Sequence, residues 1–134
     1  MGQQQLLLLV LGALIVGLGV YGGTRMMATA NQENERDVIL QQLNVLVTEA
    51  RKYAARPATM GGGEGNLIGF TPPQKMTTTD RLTINVTSGA NWVLFQAFGA
   101  VEGIDGTNPV QVVAQYDFMS DFTSGSWTAM ESVN

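Results

Sequence analysis

The sequence predicts an α+β fold: a long amino-terminal α-helix packed on a small antiparallel β-sheet of three or four strands. Three observations predict it. Leu6 to Val20 is an uncharged apolar run, Asn31 onward carries apolar residues at helical spacing, and after Arg81 the pattern switches to two-residue alternation. The amphipathic part of the helix has one stripe to bury and the sheet one face, and laid together they hide both. This divides the chain into an apolar segment at 1–30, an amphipathic helix at 31–57, a Gly/Pro-rich connector at 58–80 and the sheet at 81–134. Residues 31–134 form one globular head.

The apolar run LLLLVLGALIVGLGV follows a neutral lead, Met1-Gly2-Gln3-Gln4-Gln5. With Tyr21 it counts 16 residues, about 24 Å as a helix, just enough to span a bilayer if the flanking Gln or Gly residues enter the interface. Such a segment is a cleaved signal, a membrane anchor or the buried core of an assembly. Ala28-Thr29-Ala30 resembles a signal-cleavage site, but no Lys or Arg precedes Arg25, as a secretory signal requires. The segment is therefore expected to be retained, as an anchor first and an assembly core afterwards. Gly12, Gly17 and Gly19, with Ala13, place small residues on several helix faces, where they let apolar helices approach closely. Gly17 to Gly23 is also where the helix is expected to stretch or melt most readily, since each Gly costs roughly 1 kcal/mol of helix propensity. The residues expected to carry self-assembly are Gln5, Leu6, Leu9, Gly12, Leu14, Val16, Gly17 and Gly19, with the amides of the Gln3–Gln5 lead either bonded to a neighbouring subunit or lying in the headgroup zone.

In the second stretch Ile39, Leu43, Leu46, Ala50 and Tyr53 form one helical stripe. Glu33, Glu35 and Asp37 lie near its start and Arg51, Lys52 and Arg56 near its end, the order that complements a helix dipole. Pro57 ends the helix. If both stretches are continuous, Gln3 to Arg56 is about 80 Å long, far longer than the head it serves.

The connector ATMGGGEGNLIGFTPP is expected to hold no regular element, with Leu67, Ile68 and Phe70 tucked inward and Thr77-Thr78-Thr79 exposed. Gly61-Gly62-Gly63-Glu64-Gly65 is not a phosphate loop: no Lys-Ser/Thr follows it, no strand precedes it, and Glu64 repels phosphate. Leu82, Ile84 and Val86 then alternate with polar residues, Ser88-Gly89-Ala90 turns, and Asn91 to Val101 carries Trp92, Leu94, Phe95 and Phe98 as the return strand. After the turn EGIDGTNP a third strand alternates Val110, Val112, Ala114, Tyr116 and Phe118. Residues 122–133 supply a fourth.

Composition narrows the chemistry. Seven basic residues against eleven acidic ones give a net charge of −4, so no basic face exists for nucleic acid. The chain has neither cysteine nor histidine, which removes disulfides, thiol chemistry, Cys/His zinc sites and imidazole catalysis. No catalytic, cofactor or metal residue is expected, and the chain is read as a non-enzyme. Asp105-Gly106-Thr107-Asn108 lacks calcium-loop spacing and reads as a turn. Asn85-Val86-Thr87 fits a glycosylation acceptor but reads first as the polar side of a strand.

An apolar helix running into an amphipathic one, a glycine-rich loop and a small antiparallel sheet is similar to the plan of type IV pilins and pseudopilins. The chain also resembles short bacterial pilin-like proteins in Met1 to Leu8 (MGQQQLLL), Met60 to Gly65 and Phe70-Thr71-Pro72. The resemblance implies insertion in the inner membrane, extraction by pilus assembly machinery and packing of the apolar helices into the core of an extracellular filament with the sheets outside, in adhesion or motility. Where such pilins carry a Glu at the fifth mature position, this chain, counted from Met1, holds Gln5. The competing readings are a single-span anchored binding module and a pseudopilin of a secretion system.

Overall fold

The computed structural model describes residues 2–103 and 105–133, with the backbone alone at 132 and 133. Met1 of the opening motif, Ile104 of the second turn and Asn134 lie outside the described residues. Helix α1 spans Gly2–Ala55 as one element of 54 residues, about 81 Å long. It runs unbroken through Gly17–Gly23, where stretching was expected. Continuity also changes the role of the acidic cluster: the first turn of α1 holds no acid, and Glu33, Glu35 and Asp37 sit in mid-helix, too far from its end to feel the dipole. Lys52 does lie in the last turn.

The second half of α1 is amphipathic as expected. Ile39, Leu43, Leu46, Val47, Ala50 and Ala54 are buried against the sheet, and Tyr53 is half-buried. The sheet is a meander in the order β1-β2-β3-β4, with β1 at Leu82–Ser88, β2 at Trp92–Glu102, β3 at Pro109–Phe118 and β4 at Gly125–Val133, every neighbouring pair antiparallel. In β3 the predicted alternation holds at every position: Val110, Val112, Ala114, Tyr116 and Phe118 all face the core. In β2 the core face is Val93, Phe95 and Ala97. Trp92, Leu94 and Phe98 lie half-buried on the opposite face, because an apolar run with period two supplies both faces of the sheet. Trp127 of β4 packs on Phe95 and edge-on against Tyr116, and Phe118 stacks with Phe122, closing the far end of the core.

The connector contains two single helical turns that its composition did not predict, a 3-10 turn at Ala58–Met60 and α2 at Gln74–Thr77, each preceded by a proline whose fixed φ suits the entry to a helix. Leu67 and Phe70 are buried, but Ile68 is 64% exposed. A turn closed from the Phe70 N–H to the Leu67 carbonyl points residues 67 and 70 inward and leaves 68 on its outer corner. Thr77 is half-buried, while Thr78 and Thr79 are exposed.

The glycine-rich loop caps α1. The N–H groups of Gly63, Glu64 and Gly65 donate to the carbonyls of Tyr53, Arg56 and Ala54, the groups that a helix end leaves without partners. Gly61 and Gly65 have positive φ, and Gly63 lies where a Cβ would fall 1.9 Å from the Asn66 carbonyl oxygen and 2.8 Å from the Tyr53 ring. Glycine is demanded by backbone shape and close approach rather than by an anion.

Candidate assembly helix

The feature that the head does not absorb is the first half of α1. Every described residue from Gly2 to Asn31 is exposed, including Leu9 at 73% and Leu14 at 59%. Monomeric proteins rarely show so continuous an apolar surface to water. The helix is long and apolar enough to cross a membrane, and it projects from the head by about 45 Å. At the end of the apolar run the Arg25 guanidinium lies 5.4 Å over the Tyr21 ring and donates to the Tyr21 hydroxyl at 2.9 Å. An aromatic–cation pair of this kind suits a membrane–water boundary.

All eight expected assembly residues lie on this exposed segment: Gln5, Leu6, Leu9, Gly12, Leu14, Val16, Gly17 and Gly19. They do not share one face. At about 100° per residue, Gly12, Gly19 and Gly23 fall on one stripe, and that stripe is opposite the face which carries Ile39, Leu43 and Ala50 onto the sheet. Gly17 falls elsewhere, beside Leu9, Val10, Ala13, Leu14 and Leu18, which line a shallow groove. A Cβ added at Gly12, Gly17, Gly19, Gly22 or Gly23 would meet nothing within 4 Å. No contact among the described residues accounts for these small residues.

At the junction of shaft and head the structure places a group that sequence reasoning passed over. Glu35 is 6% exposed, its Oε1 accepting the Ala100 N–H at 2.9 Å and its Oε2 lying 3.7 Å from the Arg81 guanidinium. Gly99 makes the room, since a Cβ there would fall 2.8 Å from Glu35 Cγ. Gln32 donates to the Glu102 carbonyl at 3.1 Å just below it. The signal was present in the sequence: Glu35 lies four residues before Ile39, on the same stripe. With Asn31, Gln42 and Asp80, Glu35 and Arg81 line a groove of about 760 Å³ between α1 and the start of β1. These contacts tie α1 to the sheet where the shaft leaves the head.

Asp105 and Asp121 serve turns, and Asp117 of β3 is bonded across to β4. Asp105 accepts the N–H groups of Thr107 and Asn108 and the Asn108 side-chain amide, and these bonds hold its pKa below the ordinary 3.8. Asp117 is held low by the Thr128 hydroxyl and then the Gln115 amide, and Asp121 by the hydroxyl and N–H of Thr123. Asn85 and Thr87 lie exposed on the outer face of β1.

Compared with family models, with curated proteins and with solved structures, the chain matches none. Its own geometry defines the class: an α+β head on a helical shaft with the length and apolarity of a membrane-spanning segment.

Proposed function

We propose that the protein is the structural subunit of an extracellular, type IV pilus-like filament. It is held by its shaft in the inner membrane before assembly and then passed by pilus assembly machinery into a helical homopolymer. The observation that carries this reading is the glycine stripe Gly12, Gly19 and Gly23 on a wholly exposed apolar shaft, facing away from the head. Small residues on that side let neighbouring shafts pack closely at the centre while each head stays outside. The apolar shaft takes the bilayer as its first solvent and other shafts as its second. A pilus-like surface made of the outer face of the sheet, where Thr83, Asn85, Thr87 and Gln96 are exposed, suits adhesion or motility.

Leu9→Asp tests it. A carboxylate in the packed apolar core costs several kcal/mol, so sheared cells are expected to release no filaments. The head, which uses no residue before Gln32, should keep its circular dichroism and melting temperature. Filaments persisting in the Leu9→Asp variant would contradict the proposal. A single-span anchored module, the competing reading, is favoured by the Tyr21–Arg25 boundary pair alone. It predicts that replacing Leu6–Val20 by an unrelated apolar helix preserves function.

A further inference from the structure

The sheet has two edges, and they differ. On the outer side of β1, Thr78 and Thr79 pair with Thr83 and Leu82, and among the described residues nothing pairs with the backbone from Ile84 onward. On the outer side of β4 no backbone group between Gly125 and Val133 has a partner among the described residues. Proteins that leave an edge strand open blunt it with lysine, proline, a β-bulge or short length. β4 has a bulge at Thr128; beyond it Ala129 to Val133 contains no Lys, Arg or Pro and one charge, Glu131. Met130, which pairs with the core residue Ala114, is 48% exposed because α1 lies over β2 and β3 and stops short of β4.

We propose that in the assembly the β4 edge of one head pairs with the β1 edge of a second copy, extending the sheet from head to head. This rests on the filament reading, because it takes all shafts to point the same way. Two observations select β1 as the occupant. An antiparallel meander of four strands has edge strands that run in opposite directions, so a neighbour in the same orientation presents β1 antiparallel to β4. Pairing β4 with β4 of a second copy would instead invert one head and its shaft. The free part of β1 also fits in length. The cross-sheet rows are Asn85–Gln96–Val113–Glu131 and Thr87–Leu94–Gln115–Ala129, so level docking sets Glu131 against the neighbour's Asn85 and Ala129 against its Thr87. Such a contact joins two different surfaces, and repeated heterologous contacts build open polymers.

The absence of cysteine permits a direct test. In the full chain, Asn85→Cys with Glu131→Cys places two thiols three strand spacings apart within one head, about 14 Å, too far for an internal disulfide. Across the proposed joint their Cβ atoms come within about 5.5 Å. Mild oxidation of filaments is expected to give a ladder of dimers, trimers and higher species on a non-reducing gel, while Glu131→Cys alone gives none. In the unaltered protein, amides of residues 126–131 should exchange more slowly in filaments than in detergent-dispersed monomer. Filaments whose variant stays monomeric on the gel, whose Glu131→Cys form alone yields dimers, or whose β4 amides exchange as in the monomer would overturn the edge pairing and leave the filament reading standing. If the unaltered chain forms no filaments, both fail together.

Discussion

Gly63 shows how one residue holds two elements together. Its N–H completes the end of α1 at the Tyr53 carbonyl, and its missing side chain lets Asn66 and Tyr53 close around it. Gly63→Ala is expected to destabilise the head by roughly 2 kcal/mol or more, read as a lower melting temperature. An unchanged melting temperature would show that the loop relaxes freely. The aspartates set the acid limit at the same level of detail. Asp105, Asp117 and Asp121 each have a folded pKa below the ordinary 3.8. Their contribution is present above that value and is lost as pH falls through the lower folded one, where the unfolded chain binds more protons. The melting temperature should therefore drop on acidification below about pH 4, and less steeply in Asp117→Asn. An equal drop in both would remove Asp117 from that role. The turn at Asp105 was readable beforehand; the bonds of Gly63, Asp117 and Asp121 were not, because which carbonyl or N–H meets such a residue depends on how the chain folds back.

Among the elements, those whose periodicity was strict were read correctly. The stripe Ile39, Leu43, Leu46 and Ala50 and the alternation Val110 to Phe118 each have one apolar face and one neighbour to bury it. Where both faces of an element were apolar, as in β2, period alone did not say which side met the helix. Leu43, fully buried between α1 and the sheet, should cost about 3 kcal/mol when cut to Ala. Chemical denaturation measures this directly, and a loss under about 1 kcal/mol would mean that the helix–sheet seam is not the main source of stability. The apolar shaft was just as plain in the sequence as the core was. Its lack of any partner among the described residues was not, since only the folded head reveals that residues 2–31 stay outside its core.

The molecule as a whole joins a packed head to a shaft whose apolar surface the head leaves exposed. Burial divides them at the junction built by Gln32, Glu35, Gly99 and Arg81, and Gly12, Gly19 and Gly23 of the shaft fall opposite the face that packs on the sheet. A bilayer satisfies such a shaft at some expense of length, and a bundle of identical shafts satisfies both its apolarity and its small residues. The candidate site was visible in the sequence as an apolar run, while its outward direction came from the helix being continuous. The decisive measurement is electron microscopy of material sheared from cells that produce the protein, with the main small protein in the sample identified by intact mass. Helical filaments built of this chain, with apolar helices at the centre and sheets at the surface, are the predicted result. Protein confined to the membrane fraction, with no filaments in the sheared material, would contradict it.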